Sequence, residues 1–128
     1  MENLKIEATK YTPEIDFDVV NGALNITGKS YPENTFEYYK PIVEWIKEYM
    51  TVIDNDRKIT VNLDLEYLNS SSLKAYFDLF DILEASHNNG KNILINWIFD
   101  EENDIAEETG EDFIEDFTSL NIKLVVKD

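Results

Sequence analysis

The stretch "ITVNLDLEYLNSSSLKAYFDLFDIL", residues 59–83, changes its hydrophobic period in the middle. Ile59, Val61, Leu63 and Leu65 alternate with polar residues, the period-2 pattern of a half-buried strand. From Ser70 onward the apolar residues fall at helical spacing. Leu73, Phe77, Phe80 and Leu83 form one stripe, with Tyr76 and Leu79 flanking it. Asn69 or Ser70 is a good N-cap for that helix. A strand that feeds directly into a helix is half of a β-α-β unit, which joins parallel strands.

Working outward, the same alternation of elements continues. "HNNGK" ends the helix, with Gly90 as the left-handed residue past its C-terminus. "NILINWIF" is a continuous apolar run, suited to a central strand buried on both faces. "DEENDIAEETGEDFIEDFTSL" is acidic and helical in its later part, with Phe113 and Phe117 one turn apart. "NIKLVVKD" closes as a strand. On the N-terminal side, "SYPENTFEYYKPIVEWIKEYM" reads as a helix, with Phe36, Tyr39, Val43, Ile46 and Met50 as its apolar face. Ser30 and Glu33 have capping-box spacing, and Pro32 is equally suited to N1 with Tyr31 as the cap. Pro41 is expected to kink or split this helix. Before it, Ile15, Phe17 and Val19 alternate with Asp16 and Asp18, and "ALNITG" returns with Leu24 and Ile26. Asn21-Gly22 between them predicts a hairpin with a two-residue type I′ turn. Residues 3–9 form a short first strand. The expected order is β-ββ-α-β-α-β-α-β. This is an α/β fold: a single domain, 1–128, with a mixed, largely parallel sheet, an N-terminal hairpin and flanking helices.

The charge balance narrows the partners. Twenty-seven Asp and Glu stand against 11 Lys and Arg, a net charge of −16. Nucleic-acid backbones and anionic membrane surfaces repel such a surface, so neither is expected as a partner. Basic protein patches are attracted to it. The chain has no cysteine, which excludes disulfides, thiolate zinc sites and a cysteine nucleophile. "MENLKIEATK" lacks the apolar stretch of a signal peptide, and no apolar run approaches a membrane span. A cytoplasmic protein is expected.

Catalytic chemistry finds little support. The one histidine, His87, lies about 24 Å along the same helix from Ser71, at 1.5 Å per residue, so it cannot meet Ser70, Ser71 or Ser72 in a Ser-His-Asp system within one chain. The four glycines stand apart, without phosphate-loop spacing. Asp100, Glu101, Glu102 and Asp104 lack the order of a calcium loop and read as a solvated helix start. No catalytic, cofactor-binding or metal-binding residue is assigned.

The three serines are different. One hydroxyl suffices for a cap, and serine is a mediocre helix former in the first turn. A strand-to-helix corner is exposed, and a phosphate there meets free backbone N–H groups and the positive end of the helix dipole. Lys74, four residues past Ser70, lies within reach of such a phosphate.

Several segments together resemble the SiaC family of regulatory phosphoproteins, whose fold is similar to STAS (anti-sigma-factor antagonist) domains. They are "IEATKYTPEIDFDVVNGALNITGKSYPEN", "FEYYKPIVEWI", "YLNSSSLK" and "NWIFDEENDIAEETGEDF". The resemblance covers essentially the whole chain. It implies an adaptor without catalytic activity of its own. It further implies that a dedicated Ser/Thr protein kinase phosphorylates the adaptor, that a PP2C-type phosphatase reverses this, and that the unphosphorylated form binds an output protein such as a diguanylate cyclase. The position matching the family's phosphoacceptor is Ser70, ahead of Ser71 and Ser72. The corner departs from the D-S-S-G of STAS antagonists, with Asn69 for Asp and Ser72 for Gly. Tyr67, Asn69, Ser71, Ser72 and Lys74 are the expected partner-binding corner. Two other readings stand beside this one: an acidic metal-dependent hydrolase using residues 100–116, and a structural interaction module without a switch.

Overall fold

Alternating apolar residues produce strands wherever they occur, and the strands assemble in chain order. The structure is a computed structural model that describes residues 1–127. Its elements are β1 (Leu4–Ile6), β2 (Glu14–Asp18), β3 (Ala23–Ser30), α1 (Thr35–Val52), β4 (Lys58–Leu68), α2 (Ser70–Asn88), β5 (Asn92–Asp100), α3 (Asp104–Asp116) and β6 (Asn121–Lys127). The sheet runs β1-β2-β3-β4-β5-β6. Pairs β1/β2 and β2/β3 are antiparallel, and β3/β4, β4/β5 and β5/β6 are parallel. This is the expected mixed, largely parallel α/β sheet.

The strand order never reverses, so successive crossovers of one hand place all three helices on the same face. That corrects the reading of β5 as buried on both faces. Ile93, Ile95, Trp97 and Phe99 are buried, whereas Leu94, Asn96 and Ile98 are only half-buried. The uncovered face carries an amide row across the sheet. Asn62 Nδ2 donates to Asn25 Oδ1 at 2.8 Å, and Asn96 Nδ2 donates to Asn62 Oδ1 at 2.9 Å. On the covered face Phe17, Ile26, Leu63, Ile95 and Trp97 join the buried faces of the helices in one core.

The hairpin forms, but its turn is longer than two residues. Asp18 pairs with Ala23, leaving residues 19–22 as the loop. The Asp18 carboxylate decides this. It accepts from Asn21 N–H at 3.1 Å and from Asn21 Nδ2 at 2.7 Å, which holds the carboxyl below its usual pKa. Of the loop residues 19–22 only Gly22 takes a positive φ, at 65°. A Cβ there would stand 2.6 Å from the Lys58 carbonyl oxygen.

The first helix differs from expectation at three points. Asn34, not Ser30 or Tyr31, is its N-cap, accepting from Glu37 N–H at 3.1 Å. Ser30 instead ends β3 and is fully buried. Pro41 lies inside an unbroken α1. It faces solvent, so water can take the carbonyl that its missing N–H leaves free. Third, the buried face is Tyr39, Ile42, Ile46, Tyr49 and Met50, while Phe36 is 75% exposed and Val43 half-buried. The face of α2 is likewise turned from the expected stripe, to Ser72, Tyr76, Leu79, Phe80 and Leu83. The cause is its place between two helices. Tyr76 meets Tyr39 of α1 at 5.3 Å between ring centroids, and Phe77 turns toward Phe113 of α3 at 4.6 Å.

Candidate functional site

The end of β4 is re-aimed before it delivers the chain to α2. Gly28 pairs with Leu65, but Lys29 pairs with Tyr67, so Glu66 is an extra residue in the ladder. A bulge of this kind reverses which face the following residues meet. Leu68 is thereby turned to pack against the core, and Tyr67 is left 52% exposed. Asn103, the N-cap of α3, braces the bulge by donating from Nδ2 to the Glu66 carbonyl at 3.0 Å.

Asn69 then starts α2. Its Oδ1 accepts from Ser72 N–H at 2.9 Å, and its carbonyl accepts from Leu73 N–H at 2.9 Å. This resolves the two candidate caps in favour of Asn69, and Ser70 becomes the first helical residue. Helices α1, α2 and α3 follow β3, β4 and β5, so their three asparagine caps, Asn34, Asn69 and Asn103, share one edge of the sheet. Their positive dipole ends share that edge as well.

The three serines point three ways, because successive helical residues are about 100° apart around the axis. Ser70 is exposed. Its hydroxyl bonds to no other group among the described residues. Ser71 is also exposed, but its Oγ lies 2.7 Å from Thr35 Oγ1 at the start of α1 and donates to Asn69 Oδ1 at 3.3 Å. Ser72 has no exposed surface. Its Oγ is 2.8 Å from Ser30 Oγ inside the core. Ser72 therefore departs from its expected place on a partner-binding surface. The inward half of the first turn carries it, and no partner or kinase reaches its hydroxyl there. Lys74 is exposed and pairs with Asp78 at 3.3 Å, one turn further on.

Aromatic residues flank the corner, and beside the expected Tyr67 stand Tyr31 and Tyr11, which the sequence reading did not place there. Tyr67 meets Tyr31 edge-on at 5.8 Å, and Tyr31 meets Tyr11 at 5.3 Å. Tyr11 and Tyr31 come from loops, where hydrophobic periodicity gives no signal. On the other side of Ser70, Thr35, Phe36, Tyr39, Val43, Ser71 and Lys74 line part of a groove of about 560 Å³ between α1 and α2. Below it, burial pushes the Tyr39 hydroxyl above its usual pKa and Tyr76 well above it, so both stay protonated and neutral.

The other candidate chemistries are placed elsewhere. His87 lies at the far end of α2, its Nδ1 3.2 Å from the Lys91 carbonyl. Asp100 accepts from Glu102 N–H at 2.9 Å, and Asp104 and Glu107 occupy the first turn of α3. Among the described residues no group of three His, Asp or Glu side chains is close enough together to hold a metal ion. No helix among them is long and apolar enough to cross a membrane.

Comparison with known proteins identifies the corner's relatives. The family of SiaC family regulatory phosphoproteins matches residues 6–127. A protein of Pseudomonas aeruginosa (strain UCBPP-PA14) is 37% identical over 116 residues, covering 91% of this chain and 90% of its own. Apo-SiaC from Pseudomonas aeruginosa superposes with a TM-score of 0.90 at 34% identity, over 98% of this chain and 100% of that one. The structure of the diguanylate cyclase SiaD in complex with its activator SiaC, from the same organism, gives 0.89 at 34% identity, over 97% and 99%.

Proposed function

This chain belongs to the SiaC family of regulatory phosphoproteins, and from that premise we propose that it is a phosphorylation-switched adaptor with Ser70 as its phosphoacceptor. The observation that carries the assignment is the division of labour among the serines. Ser72 is buried and Ser71 is tied to Thr35, while Ser70 is exposed and unengaged. The resemblance supplies the rest: a dedicated Ser/Thr kinase adds the phosphate, a PP2C-type phosphatase removes it, and the chain itself catalyses nothing. The SiaC complexed with SiaD supports a diguanylate cyclase as the output protein, bound by the unphosphorylated form.

The switch follows from charge. A phosphate adds about −1.5 to −2 charges. At Ser70 it meets N–H groups of the first turn that Asn69 leaves free, so the fold tolerates it. A partner packed on Tyr67, Ser71 and the outer edge of Asn69 would desolvate it. Burying such a charge unpaired costs several kcal/mol, and about 1.4 kcal/mol already weakens binding tenfold. No rearrangement of the core is needed. Of the acids in residues 100–116, Asp104 and Glu107 lie in the first turn of α3, and among the described residues no three come close enough together to support the hydrolase reading.

The test is a pair of variants. Ser70→Ala is expected to abolish phosphorylation in the native cell while keeping the output protein bound. Ser70→Asp is expected to weaken that binding at least about tenfold and to leave the unfolding midpoint nearly unchanged. A phosphate mapped to Thr118 or another residue overturns the assignment. A large loss of stability in Ser70→Asp would mean that the residue serves the fold alone.

A further inference from the structure

Apart from tyrosines, Ser30 and Ser72 are the fully buried polar side chains among the described residues, and they bond to each other. The bond belongs to a directed chain of hydroxyls. Tyr39 Oη donates to Tyr76 Oη at 3.1 Å. Each hydroxyl has one proton, so Tyr39 accepts from Ser30 at 2.6 Å, and Ser30 in turn accepts from Ser72 at 2.8 Å. Ser30 grips the corner a second time through its backbone, whose carbonyl accepts from Asn69 N–H at 3.0 Å. The end of β3 thus holds α2 at residues 69 and 72, on either side of Ser70 and Ser71.

Three consecutive serines are chemically equivalent, so which one faces a kinase depends on the rotation of this turn about its axis. A turn of about 100° would exchange Ser71 for Ser70. The first turn of a helix lacks half of its own backbone hydrogen bonds and frays most readily. Its orientation therefore needs an external reference, and the only fully buried side chain of the turn is Ser72.

We propose that Ser30 is a positioning residue for the phosphoacceptor: by holding the Ser72 hydroxyl inward it sets the rotation of the first turn of α2 and leaves Ser70 as the hydroxyl presented outward. This rests on Ser70 as the acceptor. Thr35 supports the same orientation from the surface through its bond to Ser71.

Ser30→Ala removes the reference, and Tyr76→Phe is the control. The latter deletes the last hydroxyl of the chain and leaves Ser72, Ser30 and Tyr39 joined. Amide hydrogen exchange over residues 69–75 is expected to rise about tenfold in Ser30→Ala and to stay near the parent rate in Tyr76→Phe. Phosphosite mapping of the chain from its native cells is expected to find phosphate on Ser71 as well as Ser70 only in Ser30→Ala. Unchanged exchange in Ser30→Ala, or equal rises in both variants, overturns the proposal, because a merely structural bond would act through global stability alone. Retention of phosphate on Ser70 alone overturns it too. Should the parent chain carry no phosphate on Ser70, the acceptor assignment fails, while the exchange measurement still decides the orienting role. If Ser30→Ala does not fold, Ser72→Ala breaks the same bond from the other side.

Discussion

Residues that differ by a single atom decide much of this molecule. Gly110 sits inside α3, where glycine weakens a helix by about 1 kcal/mol relative to alanine. The propensity argument alone favours Gly110→Ala. The packing argues the other way. A Cβ at Gly110 would stand 2.5 Å from Trp97 Cδ1 and 2.6 Å from Leu124 Cδ2. Trp97 is buried and anchored by Nε1 donating to the Ala106 carbonyl at 2.8 Å, so it yields only with strain. Overpacking of this kind costs about 1–3 kcal/mol. Gly110→Ala is expected to lower unfolding free energy by about 1–2 kcal/mol in urea and to shift the Trp97 emission. A stabilised variant would show that α3 slides outward freely.

At the scale of elements, α1 carries a proline inside its length. Pro41 deletes one intrahelical hydrogen bond, and the helix continues because that turn faces water and the opposite face holds Ile42, Ile46, Tyr49 and Met50 in the core. Helix interiors bear a proline at about 3 kcal/mol, part of which an exposed site recovers through solvation. Pro41→Ala is expected to raise unfolding free energy by about 1–2 kcal/mol in chemical denaturation. No change would mean that α1 is already bent away from the lost bond. The same burial pattern explains the two displaced helix faces. Periodicity shows that a helix has an apolar side, but Phe36 lines the open groove between α1 and α2 and Phe77 packs toward α3, directions that the pattern along one helix cannot distinguish from the side facing the sheet.

For the whole molecule, the tyrosine cluster between α1 and α2 predicts how stability depends on pH. Burial raises Tyr39 and Tyr76, and raises Tyr38 to about 12, with the neighbouring Tyr39 adding to it. An unfolded tyrosine titrates near 10. The native state therefore holds these protons where the unfolded chain releases them, and stability falls as pH rises. The contribution is fully present below about pH 10 and is lost as pH climbs through the raised values. Thermal melting is expected to be flat in this respect from about pH 8 to 9.5 and to fall steeply between about pH 10 and 12. In Tyr39→Phe the alkaline fall should be shallower. An identical slope in that variant would place the alkaline transition elsewhere.

The sequence by itself determined the elements, their order and the strand-to-helix corner at Asn69. Period-2 and helical patterns depend on residues close in the chain, and an Asn cap followed by three serines is a local signal. The family resemblance picked Ser70 on the same stretch. Only the tertiary structure decided which faces are covered, because that depends on the strand order: without a reversal in the sheet, three helices share one side and the asparagine row is left on the other. Only the tertiary structure decided what surrounds each of the three serines, since this depends on Ser30, forty-two residues before Ser72, and on Thr35, thirty-six before Ser71. A hydroxyl's availability is set by the neighbours that reach it in space, and in this corner those neighbours come from another strand and another helix.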